Sequence, residues 1–160
     1  MEKNLSHLNR IHGIANYQFA KNIGRFLFPK EVEIALSKRT GRIRHVYLNG
    51  TLIATLRPTD GMFSLTIDGA QRLRSKIGSP RHRVVVRGDV EKFAKDGRNI
   101  FARHVINADV EIRPGEEVIV TDEKDEVLAV GRALLTGLEM LSFKRGIAVK
   151  TRKGVDEIKK

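Results

Sequence analysis

The 160-residue sequence contains no cysteine and no tryptophan, and its first 30 residues hold no continuous apolar run. Without cysteine, the chain can form no disulfide, thiolate zinc site, iron–sulfur cluster or thiol nucleophile. The interrupted N-terminal segment argues against a signal peptide and against a membrane span. We therefore expect a cytoplasmic protein with no metal and no cofactor, whose core is built from Val, Ile and Leu.

Positive charge is what the sequence has in excess, with a net charge of +11 at pH 7. Residues 1–80 have a net charge of +8, against +3 for residues 81–160. A basic protein attracts polyanions, because each phosphate that it neutralises releases condensed counterions. Nucleic acid is therefore the leading candidate partner, and a merely solubilising basic surface is the alternative.

The first half of the chain has the pattern of an α+β domain. Helical spacing predicts a helix over about Ala15–Phe28, ended by Pro29. Apolar alternation from Glu31 onwards predicts four antiparallel strands, and "DGAQRLRSKIG" predicts a closing helix. The segment Gly78-Ser79-Pro80 marks a boundary, so we expect a first domain over residues 1–80.

The basic segment "SKRTGRIRHVYLNG" is predicted to form a hairpin around Asn49-Gly50, because a type I′ turn needs positive φ at both central residues. A regular hairpin then places Leu48 opposite Thr51 and Arg44 opposite Thr55, so that His45 and Tyr47 face the core. It also places Arg42 opposite Arg57, which is unfavourable unless an anion lies between them. Three arginines thus share one face, as a phosphate site or as a cluster neutralised internally by Glu31, Glu33 or Asp60.

The second half has short strands joined by charged turns, which is typical of a small β-barrel or sandwich. Within "DVEKFAKDG", we expect Asp89 to cap a helix with Val90, Phe93 and Ala94 buried and Gly97 left-handed at its end. The acidic turn "TDEKDE" should point away from any nucleic acid. A last strand, "GIAVKTR", places Lys150 and Arg152 on one face. The domain should span residues 81–153, with residues 154–160 frayed.

Motifs in this half resemble those of the PUA domain, the RNA-binding module of pseudouridine synthases and archaeosine transglycosylases. They are "DVEKFAKDGRNIFA", "ADVEIRPGEEV", and "AVGRA" followed by "KRGIAVK". The first half, with "SKRTGRIRHVYLNGTLIATLRPTDG", looks like the domain that precedes PUA in archaeal archaeosine tRNA-guanine transglycosylases. The resemblance implies an α+β domain, with an N-terminal helix and a four-stranded antiparallel sheet, followed by a C-terminal PUA-like β pseudobarrel.

The resemblance also implies where RNA binds, since PUA domains grip RNA with the helix and glycine loop after the first strand and with the last strand. A glycine allows close backbone approach, and Arg and Lys supply phosphate contacts. Arg42, Arg44 and Arg57 of the first half would extend this surface into one continuous basic face. The residues implicated by the PUA motif are Lys92, Lys95, Gly97, Arg98, Asn99, Arg103, Lys150 and Arg152.

We therefore predict a stand-alone RNA-binding protein, with tRNA or another structured RNA as its ligand, connected with RNA modification. Enzymatic activity is not expected, because the family's catalysis uses a large barrel with paired aspartates and a cysteine-bound zinc. The possible acid–base groups Asp60, His45, His82 and His104 show no motif spacing. The alternatives are a ribosome-biogenesis or translation factor with rRNA and ribosomal proteins as partners, and an accessory subunit of a tRNA-modifying enzyme.

Overall fold

A computed structural model describes residues 2–157, with side chains from Asn4 onwards. The described residues fall into two compact units, one up to Ile77 and one from Gly78 onwards. The first unit begins with helices and continues with a sheet, whereas the second is almost entirely β-structure. This is the α+β domain followed by a β pseudobarrel that the sequence predicts.

The first unit contains a four-stranded antiparallel sheet in the order β1-β2-β3-β4, as predicted. The single helix predicted over Ala15–Phe28 is wrong, because Asn22 adopts a positive φ of 64° and separates two helices. The elements of this unit are α1 (Glu2–Gln18), α2 (Gly24–Leu27), β1 (Glu33–Leu36), β2 (Ile43–Leu48), β3 (Thr51–Leu56), β4 (Phe63–Leu65) and α3 (Ile67–Lys76).

Two register shifts in this sheet change the predicted arrangement of the central hairpin, one in the β2–β3 pair and one in the β1–β2 pair. The turn forms as expected, with positive φ at Asn49 and Gly50 and Leu48 opposite Thr51. A shift between Val46 and Tyr47 then inserts an extra residue in β3, so His45, not Arg44, lies opposite Thr55. The predicted core face of β2 is partly wrong: Ile43 is buried as predicted, but Val46 is fully buried, whereas His45 and Tyr47 are half-buried. The cause is the shift between β1 and β2, which makes Arg44 an extra residue in β2.

The second unit is a six-stranded sheet that curls into an almost closed barrel, in the order β6-β10-β9-β8-β5-β7. Only the β5–β8 pair is parallel among the described strands. The aliphatic interior confirms the predicted core composition. Its elements are β5 (Arg83–Val86), α4 (Glu91–Lys95), β6 (Ile100–Phe101), β7 (Val105–Ala108), β8 (Glu117–Thr121), β9 (Val127–Ala133), α5 (Gly137–Ser142) and β10 (Ile147–Gly154).

Several local predictions for the second unit need correction. Asp89 does not cap α4; it lies in a 3₁₀ turn and forms an ion pair with Arg87. Phe93 is 46% exposed rather than part of the buried stripe, which consists of Val90 and Ala94. The end of the chain is not frayed immediately after Gly154, because the amide groups of residues 155–157 all donate hydrogen bonds to backbone carbonyls. The last three residues of the predicted tail lie outside the described residues.

Candidate nucleic-acid interface

The glycine loop lies where α4 ends and the last strand finishes. Gly97 has a φ of 86°, which confirms the predicted left-handed position, and its N–H donates to the Ala94 carbonyl at 3.0 Å. Gly154, at the end of β10, packs so closely on the Lys95 carbonyl and the Gly97 amide that a Cβ would collide with both. The carboxylate of Glu157 lies over Gly97, and Lys153 Nζ is 3.4 Å from that carboxylate. Helix, loop and last strand therefore form one connected surface.

Predicted cationic residues surround this loop. Lys92 on α4, Arg98 in the loop and Lys150 on β10 are exposed, and Lys95 is half-buried. Within residues 4–157, neither Lys92 nor Lys150 takes part in an ion pair. These ammonium groups are therefore positioned to neutralise an external anion.

Two exposed phenylalanines beside the loop were not predicted as site residues. Phe93 and Phe101 are 46% and 42% exposed. The Arg98 guanidinium lies 5.3 Å from the Phe93 ring centroid, and the Arg103 guanidinium lies 5.4 Å from that of Phe101. Both rings line an apolar pocket of about 180 Å³. The sequence signal was the alternation of aromatic and basic residues in "EKFAKDGRNIFARH", a pattern of single-stranded nucleic-acid binding.

His104 also lines this pocket, and its surroundings favour the uncharged form of its ring. Burial lowers the pKa of His104, and the nearby positive charges of Arg103 and Arg87 lower it further, whereas Asp89 acts in the opposite direction. Arg103 Nε lies 3.3 Å from His104 Nε2, which places the acceptor nitrogen of the ring towards the guanidinium. The pocket therefore presents aromatic rings beside a rim of positively charged guanidinium groups.

Two predicted contact residues have internal partners. The Asn99 side-chain oxygen accepts a hydrogen bond from the Thr151 backbone N–H at 3.0 Å, and so joins the loop to β10. Arg152 forms a two-pronged ion pair with the carboxylate of Glu117, of which 1% of the side chain is exposed. Both residues make contacts within the second unit, and their contacts with RNA remain a prediction.

In the first unit, the three predicted arginines line one cleft of about 820 Å³. Arg57 forms an ion pair with Asp60 at 2.9 Å and contacts Ser64 Oγ at 3.3 Å. Arg42 and Arg44 have no ion pair within the part of the chain that the structure describes. Asp60 thus neutralises Arg57, as expected if an acid of the protein itself balances these arginines. Arg42 and Arg44 remain available to an external anion.

The acidic turn between β8 and β9 has a structural role that the sequence did not show. Asp125, with a φ of 64°, holds Arg83 through two contacts of 3.0 and 3.1 Å. The Arg83 side chain is fully buried. Part of the acidity of this turn therefore neutralises an internal arginine.

Neither a membrane helix nor a metal centre emerges from the structure. Among residues 2–157, no helix combines the length and the apolar character that crossing a membrane requires. The same residues contain no group of three or more His, Asp or Glu side chains placed to hold a metal ion.

Both units match known domain families. Residues 9–80 match the patch-forming domain C2 of tRNA-guanine transglycosylase, and residues 82–155 match the PUA domain. Among solved structures, a hypothetical protein from Pyrococcus horikoshii has a TM-score of 0.76 at 22% identity, covering 95% of this chain and 92% of its own. A conserved PUA domain protein from Thermoplasma acidophilum has a TM-score of 0.66 at 20% identity, covering 94% and 89%. At these identities the likeness shows the fold.

Curated relatives are considerably more similar in sequence. The tRNA-guanine(15) transglycosylase of Pyrococcus abyssi is 48% identical over 145 residues, which cover 91% of this chain and 24% of that protein. The protein of the same name from Methanothermobacter thermautotrophicus is 42% identical, with 96% and 24% covered. The chain therefore spans about a quarter of the length of these relatives. It is a PUA-domain protein whose two domains correspond to the C2 and PUA region of archaeal tRNA-guanine(15) transglycosylases.

Proposed function

We propose that this chain binds RNA in the cytoplasm through the glycine-loop surface of its PUA unit, with tRNA or another structured RNA as the ligand. One observation supports this most directly: the two exposed rings of Phe93 and Phe101 each have an arginine stacked on them beside the loop. Exposed aromatic rings next to cations bind unpaired bases by stacking while the cations hold the phosphates.

Each part of this surface has a distinct task in the proposed complex. The rings of Phe93 and Phe101 stack on unpaired bases, and Arg98 and Arg103 add cation–π attraction. Lys92, Lys95 and Lys150 contact backbone phosphates, which fix the RNA without reading its sequence. The positive φ of Gly97 lets the backbone approach the ligand closely, provided that the Glu157 carboxylate moves aside.

The names of the relatives support a connection with tRNA modification. They are called tRNA-guanine(15) transglycosylases, and this chain corresponds to about a quarter of their length. We therefore assign RNA binding and no catalysis to the chain, and we propose that it holds RNA for a modification reaction. The first unit would add phosphate contacts through Arg42 and Arg44, with Arg57 fixed between Asp60 and Ser64.

The test replaces both rings, as Phe93→Ala with Phe101→Ala, and measures the affinity for tRNA by fluorescence anisotropy. Stacking is worth about 1–3 kcal/mol per base, so the affinity should fall at least about tenfold. The slope of affinity against salt should stay unchanged, because no phosphate contact is removed.

A matched control removes two exposed apolar side chains elsewhere, as Leu138→Ala with Leu141→Ala on α5. This control should bind tRNA as the parent protein does. Equal losses in both double variants, or no loss in the phenylalanine variant, would argue against the proposed surface. Sequencing of RNA crosslinked to the protein in cells would then identify the natural ligand.

A further inference from the structure

The cleft of the first unit contains more positive charge than the three arginines predicted from the sequence. Arg10 from α1 and Arg39 from the loop after β1 also line it. None of the described residues that line the cleft is acidic. Asp60 forms an ion pair with Arg57, and the other four arginines form no ion pair among residues 4–157. Such a concentration of guanidinium groups is costly unless an anion offsets it.

Two loops of the same geometry form the sides of this cleft. In the first, the amide of Ser37 bonds to the Arg42 carbonyl and that of Gly41 to the Ser37 carbonyl, at 2.7 and 2.8 Å. The second loop has the same pattern: the amide of Arg57 bonds to the Met62 carbonyl, and the amide of Gly61 bonds to the Arg57 carbonyl, both at 2.9 Å. The two glycines have φ values of 72° and 71°, a conformation that other residues rarely adopt. The cleft walls are therefore defined by hydrogen bonds.

A bulge in β2 positions one of these five arginines, Arg44. Ala35 pairs with His45 and Leu36 pairs with Ile43, so Arg44 is the extra residue between them. Bulges redirect a side chain relative to the regular sheet, and here the redirected residue lines the cleft. Arg57 is fixed on the other side by Asp60 and Ser64. At least two of the guanidinium groups are thus positioned by the fold.

Apolar side chains complete the lining. Ile14 lies one helical turn beyond Arg10 on the same face of α1, and Ile43, Leu56 and Pro58 come from the sheet and its loop. The volume of about 820 Å³ lies within the range of roughly 300–1,000 Å³ of small-molecule sites. A bare phosphate would leave this apolar area uncovered, whereas a nucleotide has both an anionic and an apolar part.

We infer that this cleft is a nucleotide site, with phosphate on the arginines and a base or ribose against Ile14, Ile43 and Leu56. We expect the natural ligand to be an unpaired nucleotide of the bound RNA, and this part of the inference rests on the proposed function. A free mononucleotide has the same chemistry, so the experiment separates the two sources. Guanidinium groups suit this ligand because one planar guanidinium can donate two parallel hydrogen bonds to two oxygens of a phosphate.

The test titrates the full chain with adenosine 5′-monophosphate, inorganic phosphate and adenosine while NMR follows the methyl groups of Ile14, Ile43 and Leu56. The mononucleotide should shift these methyl signals saturably, and adenosine and phosphate should bind at least about tenfold more weakly. A single-stranded RNA should shift the same signals, whereas a blunt duplex should not. A response to the mononucleotide alone would identify a free nucleotide as the ligand and overturn the RNA assignment.

The variant Arg39→Ala with Arg44→Ala should weaken mononucleotide binding at least about tenfold. The control, Arg25→Ala with Lys38→Ala, removes the same charge from two exposed positions that do not line the cleft. If the double variant fails to fold, Arg39→Ala alone can be tested in its place, because Arg39 is exposed and lies in a loop. Equal weakening in variant and control, or no methyl shift with any nucleotide, would overturn the inference.

The two proposals fail separately. If tRNA binding depends on Phe93 and Phe101 while no nucleotide shifts the cleft signals, the proposed function stands and the cleft inference is wrong. If mononucleotide binds the cleft but the protein binds no RNA, the proposed function is wrong and the cleft is a site for free nucleotide.

Discussion

Glu117 places a carboxylate inside the second unit, where 1% of its side chain is exposed. A buried charge is tolerated only when it is paired, because removal from water costs several kcal/mol per ion. Arg152 supplies the pair with two hydrogen bonds while keeping about a third of its own side chain exposed. Arg152, which the sequence predicts as a phosphate contact, therefore pairs with an acid inside the protein.

Replacing Arg152 by methionine should therefore reduce the free energy of unfolding. We expect a loss of about 2–4 kcal/mol, slightly below the roughly 3–5 kcal/mol of a fully buried pair because Arg152 is partly exposed. The double variant Glu117→Met with Arg152→Met should recover most of this loss, and Lys150→Met should stay within about 0.5 kcal/mol of the parent. Urea denaturation measures all three. Unchanged stability of Arg152→Met, with weaker RNA binding, would instead make Arg152 an RNA contact.

The turn between β8 and β9 shows how an element combines two roles. Asp122 organises the turn, since its side chain accepts from the amides of Lys124 and Glu126 at 2.9 Å. Asp125 reaches the fully buried Arg83. Glu123 and Glu126 are exposed and have no ion pair among residues 4–157. Glu123 and Glu126 are therefore the exposed acids of this turn that would repel an approaching polyanion.

Charge reversal at the two exposed acids, Glu123→Lys with Glu126→Lys, should therefore change tRNA affinity only slightly. High salt should remove the change, because screening acts on charges separated by more than about 8–10 Å. Asp125→Ala, in contrast, should lower stability by about 3–5 kcal/mol, since it removes the carboxylate that forms an ion pair with the buried guanidinium of Arg83. Anisotropy at two salt concentrations and thermal unfolding check both statements. A large affinity change that persists in high salt would mean that RNA contacts this turn.

At the scale of the whole molecule, each unit has its own basic surface. The PUA unit has exposed cations and rings at its glycine loop, and the C2 unit has a cleft with five arginines. From the distribution of basic residues in the sequence, we predict that both surfaces grip one polyanion. Binding of one RNA by two linked modules raises affinity through effective concentration, even without any additional contact.

A double-mutant comparison tests this joint binding. Arg42→Glu with Arg44→Glu should weaken tRNA binding at least about tenfold, which corresponds to about 1.4 kcal/mol. Combined with Phe93→Ala and Phe101→Ala, it should leave only weak, strongly salt-dependent binding. If the charge reversal has no effect in a salt titration, the first unit does not contact the same RNA.

Many local features follow from the sequence because they depend on a few neighbouring residues. The Asn49-Gly50 turn, the left-handed Gly97 and the four-stranded sheet of the first unit are confirmed. In each case the physical cause lies in backbone sterics or in apolar alternation, both of which act over short segments. The motifs that resemble PUA also predicted the barrel of the second unit, which is confirmed, and the edge of that barrel at which we expect RNA to bind.

The tertiary structure alone decided which charges are available and which side chains meet. One extra residue in a strand moves every later side chain to a new neighbour, so the shift beside Val46 overturned the predicted arginine pairing across β2 and β3. The bulge at Arg44 redirected that side chain relative to β1. The tertiary structure also decided that Arg83 forms an ion pair with Asp125 and that Arg152 forms one with the buried Glu117. Composition and motifs determined a basic two-domain chain of PUA type. The addition of Arg10 and Arg39 to the arginine cleft, and the exposure of the Phe93 and Phe101 rings, were decided only by the tertiary structure, because they depend on how distant segments pack.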